Sequence, residues 1–257
     1  MTKPSLSFGE IAELYHEIRP RYPQELFKDL FKLIDLPQNA CILEIGAGTG
    51  IATAELAKRG FHVTALEPSS EMASVLKKNL KNLNLEVIIS TFEDWTPPPG
   101  RFDLVISFTA FHWLDPVTRY QRIYEALSPN GYLAVIKYHH VAGGDRSFFS
   151  KVQECYKKYK PESSAFRLPE VSDFKPNTQE IYASGLFKKP IFRSYLTEET
   201  YSRVDYEQLL LTYSDHCALE EQKRSQLLKC IGTLIEDHYA GQVRKCYLHE
   251  LVIARVR

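Results

Sequence analysis

The run Glu44-Ile45-Gly46-Ala47-Gly48-Thr49-Gly50 constrains this chain more than any other stretch. It follows the apolar Cys41-Ile42-Leu43, and a second apolar stretch, His62-Val63-Thr64-Ala65-Leu66, ends on another acid, Glu67. The pattern predicts a strand, a glycine turn, a helix, and a second strand with a carboxylate at its tip. Glycine lets the backbone turn tightly and lets a ligand approach without a Cβ in the way. A carboxylate at the tip of the second strand can accept both ribose hydroxyls of a nucleoside. The segment therefore points to a nucleoside-bearing cofactor. The bland alternative is a tight strand-to-helix turn and nothing more.

Spacing and charge separate the cofactors. A dinucleotide fold uses G-x-G-x-x-G, which seats a pyrophosphate on a helix N-terminus. Here the glycines are closer, at 46, 48 and 50, and Glu44 stands two positions before the first. A carboxylate there repels a pyrophosphate and suits a cation. S-adenosylmethionine is such a ligand, with a sulfonium, an ammonium and no phosphate.

Helix and strand signals alternate around this segment. Ser7-Phe8-Gly9-Glu10 reads as a capping box, and Ile11, Leu14, Tyr15 and Ile18 then share one helical face. Arg19-Pro20-Arg21-Tyr22-Pro23 breaks that helix, and another starts near Pro23 with Leu26, Phe27, Leu30, Phe31 and Ile34 inward. Strands are expected at about 41–45, 62–67, 86–90, 102–108 and 132–138, with helices over 51–59, 70–80 and 116–126 between them. Gly60 fits a left-handed helix end. Strands that alternate with helices predict a parallel sheet covered on both faces. Beyond Tyr138 the rhythm changes: a helix over 146–160, a loop, a short helix near 178–184, a strand at 190–196, a helical pair and a last strand over 247–256.

These features together resemble the class I S-adenosylmethionine-dependent methyltransferases. The match is carried by Glu44–Gly50, Glu67-Pro68, Thr91-Phe92-Glu93, the strand Phe102–Ser107, and Leu127-Ser128-Pro129-Asn130-Gly131 before strand five. It covers about residues 7–140 well and the rest loosely. It implies an α/β, Rossmann-like, doubly wound sheet of seven mostly parallel strands with the last antiparallel. It also implies one domain over 1–257. Its core is about 36–140 and 186–257, its N-terminal cap 7–35, and its helical substrate-side elements about 141–185 and 205–240. A helical insertion before the last strand is read as substrate-facing; plain packing on the sheet edge is the alternative.

The resemblance implies a cofactor site made of Glu44, Gly46, Ala47, Gly48, Gly50, Glu67, Pro68, Ser69, Met72, Thr91, Phe92, Glu93, Ser107, Phe108, Thr109 and His112. Glu67 would take the ribose, Phe92 and Glu93 the adenine, and Met72 a face of that ring. The segment Phe8, Ala12, Tyr15, Arg19, Pro20, Tyr22, Pro23 follows a covering-helix pattern of the family. It adds Tyr15 and Arg19, the latter as a fork for the cofactor's carboxylate. Phe92 and Met72 also suit a core, and Arg19 a helix surface. Ser107-Phe108-Thr109-Ala110 departs from the N/D-P-P-Y/F of amino-group methylating relatives. The aromatic stretch that follows, Phe111-His112-Trp113-Leu114, is similar to the trans-aconitate methyltransferase type. His112 is the candidate base, because an imidazole titrates near neutrality; a cofactor-lining or core histidine is the alternative. His139 and His140 are further candidates.

Composition narrows the partners. The 257 residues carry 32 basic and 32 acidic side chains, with no basic half, which argues against nucleic acid. No stretch approaches eighteen apolar residues, and residues 1–5 lack a signal core, so a membrane partner is not expected. The five cysteines, at 41, 155, 217, 230 and 246, show no C-x-x-C spacing. No disulfide framework and no metal site are expected, and a cytoplasmic setting fits. The expected reaction is methyl transfer to a small molecule by direct in-line displacement. An RNA methyltransferase, a nicotinamide oxidoreductase and a cofactor-binding protein without transferase activity are the competing readings. Oligomeric state is not legible.

Overall fold

The computed structural model describes residues 8–161, 167–176 and 178–257; the capping box expected at Ser7 lies outside them. Strands β1 (Cys41–Ile45), β2 (His62–Leu66), β3 (Leu85–Ile88), β4 (Phe102–Phe108), β5 (Leu127–Val141), β6 (Ile191–Ser202) and β7 (Gln242–Arg255) form one sheet. Its order is β3-β2-β1-β4-β5-β7-β6. β1, β2, β3, β4 and β5 pair in parallel, and β7 runs antiparallel to both β5 and β6. This is the expected Rossmann-like sheet. The helices are α1 (Phe8–Ile18), α2 (Gln24–Leu33), α3 (Thr53–Ala57), α4 (Ser70–Asn79), α5 (Arg119–Ala126), α6 (Arg146–Lys151), α7 (Gln153–Tyr159), α8 (Gln179–Ala183), α9 (Arg203–Leu211), α10 (Ser214–Cys217) and α11 (Glu221–Tyr239).

The chain gathers into two compact units. One holds residues 21–138, 175–195 and 249–257 and contains the glycine turn. Both faces of its sheet are covered by apolar clusters. On one face Leu26, Phe27 and Leu30 of α2 pack with Ile42, Leu104, Ile106, Ile136 and Ile253. On the other, Leu43, Val105 and Leu133 meet Ile123 and Ala126 of α5. Burial on both faces explains why Ile42-Leu43 in β1 and Leu104-Val105-Ile106 in β4 are consecutive rather than alternating apolar residues. Pro23 starts α2 from an extended conformation, and three residues of that helix are buried, so α2 belongs to the sheet's unit.

The other unit holds the described part of 1–20 with 139–174 and 196–248. Its buried residues include Phe148, Phe149, Leu209, Leu210, Leu227, Ile231 and Ile235. A disulfide between Cys155 of α7 and Cys230 of α11 joins two of its helices. The expectation of no disulfide framework is thus qualified by this one pairing. Partners 75 residues apart leave no mark in cysteine spacing, and the pairing removes the cysteine argument for a reducing compartment. Among the described residues, no helix is long and apolar enough to cross a membrane.

Several boundaries differ from the sequence expectation. β5 starts at Leu127, because Leu127 pairs with Phe102 before a register shift near Leu104. β6 and β7 run to 12 and 14 residues. Polar stretches such as Thr197-Glu198-Glu199-Thr200 and Arg244-Lys245 conceal their strand character. The helix expected over 146–160 is two helices that meet at Val152.

Leu104 is fully buried in β4, opposite Ile42 and Tyr132 in the two neighbouring strands. Leu104→Ala removes a side chain held on every side. It is expected to lower unfolding stability by about 2–5 kcal/mol, read from urea denaturation.

Candidate cofactor site

β1 delivers the chain to a turn that only glycine allows. Gly46 has φ +72°, and a Cβ there would overlap the Cβ of Ala110 beyond β4. Gly48 has φ +58°, but a Cβ on it would meet nothing within 4 Å, so this part of the turn faces open space. The amides of Gly46 and Ala47 both donate to the carbonyl of Leu66, at 2.8 and 3.1 Å. These two bonds draw the turn over the end of β2. Just beyond, Glu67 accepts from the Gly48 amide on Oε2 at 2.8 Å and from the Ser69 amide on Oε1 at 2.9 Å. A carboxylate accepts about four hydrogen bonds, so Glu67 keeps capacity for a ligand diol.

Glu44 is 1% exposed, and among the described residues neither carboxylate oxygen has a hydrogen-bond partner. Burial pushes its pKa up to about 8. The nearby Thr53 hydroxyl pulls the other way without making a well-formed hydrogen bond, and the Glu67 charge adds to the rise. The Glu67 pKa is also raised by burial, against the pull of the Ser69 and Gly48 amides. Two carboxyl groups thus meet behind the turn. One is tied into the backbone and the other is bare.

The other expected residues, Tyr15 and Arg19 apart, belong to the same unit. Ser69 caps α4, accepting from the Met72 amide on its hydroxyl at 3.2 Å, and Pro68 is exposed. Thr91 takes the Asp94 amide on its hydroxyl and donates to the Asp94 carboxylate, closing a turn that carries Phe92 and Glu93. Phe92 is a core side chain, 2% exposed. Glu93 is exposed and accepts from the Asp115 amide. Ser107 is buried and its hydroxyl donates to the Ile45 carbonyl at 3.0 Å, so it ties β4 to β1. Phe108 is buried against Tyr22 and Phe27. Thr109 holds φ 57°, a strained conformation for a β-branched residue, and its hydroxyl shares a 2.8 Å hydrogen bond with Tyr22. His112 is exposed on a short 3₁₀ turn, with its ring 4.8 Å from that of Trp113.

Tyr15 and Arg19 belong to the other unit. There the Arg19 guanidinium lies 4.6 Å from the Tyr15 ring and 4.4 Å from the Tyr213 ring. It donates to the Thr212 hydroxyl at 2.9 Å and to the Thr212 carbonyl at 2.7 Å.

Sequence reasoning missed three contributors. Arg122 donates to the carbonyls of Phe92 and Trp95, at 2.8 and 2.9 Å, and so fixes the loop after β3. A lone arginine on a helix gives no such signal. Thr53 was invisible because it acts only through Glu44. Tyr22 was in view only as a letter of the R-P-x-Y-P pattern. It centres an aromatic group with Phe108, Tyr138 and His249 at centroid distances of 4.8, 6.1 and 5.9 Å. Burial lowers the His249 pKa to about 4, so that ring is neutral at physiological pH.

Residues 42–131 match the family model of a methyltransferase domain. An uncharacterised methyltransferase of Mycobacterium tuberculosis is 35% identical over 133 residues, 51% of this chain and 52% of its own length. The chain thus spans about half the length of the curated relatives it matches. The solved structure of the YcgJ protein of Bacillus subtilis has the same fold, with a TM-score of 0.56 at 14% identity over 91% of this chain and 99% of that one. A phosphoethanolamine N-methyltransferase of Haemonchus contortus was solved with phosphomonomethylethanolamine and S-adenosylhomocysteine. It gives a TM-score of 0.52 at 17% identity, over 98% of this chain and 60% of that one.

Glu44 makes stability depend on pH with a defined sign. The folded protein holds a proton on Glu44 that the unfolded chain has already released above its ordinary value of 4.5. The stability tied to that proton is full below 4.5 and is lost as pH rises through about 8. Glu44→Gln is expected to flatten that decline in thermal melts taken across the window. An unchanged slope would show that Glu44 titrates normally.

Proposed function

We propose, proceeding from the methyltransferase domain at residues 42–131, that this chain transfers a methyl group from S-adenosylmethionine to a small-molecule acceptor. The observation that carries the proposal is Glu44, a buried carboxyl with two bare oxygens beside a glycine turn that faces open space. Buried polar groups are nearly always paired, and a bare carboxyl is costly unless a ligand completes it. A cation completes it, whereas a pyrophosphate would be repelled by it.

The roles of the chain's residues follow from their chemistry. Glu67, already anchored by two amides, would take the ribose hydroxyls. Gly46–Gly50 would lie along the ligand, because Gly48 has no side chain to exclude it. The turn at Thr91–Glu93, with Met72 and Ser69 on α4, would flank the adenine. When bound, the cofactor supplies a methyl group on a sulfonium that is already electrophilic. The protein's task is then to orient the acceptor and exclude water; orientation alone can contribute ~7–11 kcal/mol, and no covalent enzyme intermediate is needed. In open α/β sheets, ligands meet beyond the carboxyl ends of the strands. There the rings of Tyr22, Phe108, Tyr138 and His249 would wall the acceptor. The balance of 32 basic and 32 acidic residues supports a small acceptor over RNA.

Glu44 provides a readout that does not depend on turnover. Near neutral pH its carboxyl is mostly protonated in the free protein, since its pKa is about 8. Binding of S-adenosylmethionine is expected to release a proton from it. Calorimetry in two buffers of different ionisation enthalpy measures this release, and Glu44→Gln should abolish it. Stabilisation by NAD with no response to S-adenosylmethionine would overturn the proposal. His112 is proposed as the base for an acceptor that must lose a proton. His112→Ala is then expected to lower kcat by about 10²–10⁴ with KM for the cofactor unchanged. Near-wild-type turnover would remove His112 from that role.

A further inference from the structure

A buried ammonium stands without an anion in the unit that holds the first residues of β7. Lys245 is 4% exposed. Its Nζ donates to the Tyr213 hydroxyl at 3.0 Å and lies 5.9, 5.4 and 5.3 Å from the ring centroids of Tyr206, Tyr213 and Tyr247. Among the described residues, no carboxylate comes within ion-pair distance of it. Acids of the same unit are engaged elsewhere: Asp215 by Lys160 and His216, and Asp145 and Glu198 by Arg244.

A second cation stands close by. The Arg19 guanidinium lies over the same Tyr213 ring, at 4.4 Å. His140 carries no charge to offset: burial, then the Lys245 charge, pushes its pKa down to about 2. Burial would raise the Tyr213 pKa, but Lys245 and Arg19 outweigh it and lower the value. Among the described residues, the Tyr213 hydroxyl takes the hydrogen bond that Lys245 donates. An ammonium has three donors, and the contacts above use one. Charges buried this deeply are normally paired, and leaving one unpaired is strongly disfavoured.

We propose that Lys245, with Tyr213 and Arg19, forms a binding site for the carboxylate of a small organic acid. The donors suit that group. Two remaining ammonium hydrogens and a phenol hydroxyl match the two oxygens and single charge of a carboxylate. A phosphate dianion asks for more donors than these side chains offer. The rings of Tyr206, Tyr213 and Tyr247 present flat apolar faces, which favours an acid with an aromatic or unsaturated body. The site lies within one unit, and its occupancy does not depend on methyl transfer.

The test titrates the intact protein with benzoate, butyrate and inorganic phosphate, reading the thermal midpoint and the ultraviolet absorbance of tyrosine. Benzoate is expected to raise the midpoint saturably and to perturb tyrosine absorbance, butyrate to do so more weakly, and phosphate to do neither. Lys245→Met should lose the benzoate response, and Tyr213→Phe should weaken it about tenfold, the equivalent of one good hydrogen bond to a charged group. If Lys245→Met fails to fold, the wild-type titrations and Tyr213→Phe still decide. No carboxylate response in the wild type, a response to phosphate alone, or an undiminished benzoate response in the Tyr213 or Lys245 variant would each overturn the proposal.

Discussion

The carbonyl of Leu66 and the carboxylate of Glu67 hold the glycine turn in place. Between them they accept four backbone amides, from Gly46, Ala47, Gly48 and Ser69. The turn follows β1, and the acceptors sit at the end of β2. The bonds therefore fasten two neighbouring parallel strands at their carboxyl ends. They also leave four amide donors satisfied in a segment that has no ladder of its own. Gly46 and Gly48 are glycines because the turn needs positive φ, and Gly46 also because Ala110 occupies the place of its Cβ. Shape and hydrogen bonding here impose the same requirement on the sequence.

That arrangement leaves Glu44 exceptional. Glu67 is a structural acceptor of the Gly48 and Ser69 amides, and removing it would undo the turn. Glu44 holds nothing together: its oxygens have no partner, and its burial raises its pKa. A residue that costs stability and fixes no backbone is retained for a reason outside the fold.

The sheet and this turn were legible in the sequence because their causes are local. Apolar runs bounded by Gly, Pro and acids report parallel strands buried on both faces, and β1, β2 and β4 fell within a residue or two of their expected ends. The long antiparallel strands β6 and β7 were less legible, because polar residues such as Glu198, Arg244 and Lys245 break the alternation. The disulfide between Cys155 and Cys230 and the bonds from Arg122 to the Phe92–Trp95 loop join residues far apart in sequence. No spacing rule reaches them. Ser107 and Thr109 were singled out by position, but only the fold reveals that one hydroxyl ties β4 to β1 while the other meets Tyr22 across a strained backbone.

Equal numbers of acidic and basic residues conceal an uneven interior. The chain is formally neutral, yet among the described residues its sheet unit buries a carboxyl with no hydrogen-bond partner and its other unit buries a lysine with no carboxylate in ion-pair distance. Surface charges screened by water add little to stability either way. Buried charges are the opposite case. Each resists burial until something of opposite sign arrives, and the side chains beside each one define what fits. Around Glu44 these are glycines and a second acid, which suit an extended cation. Around Lys245 they are phenols and a guanidinium, which suit a flat anion. Each group sits among side chains of a different chemistry.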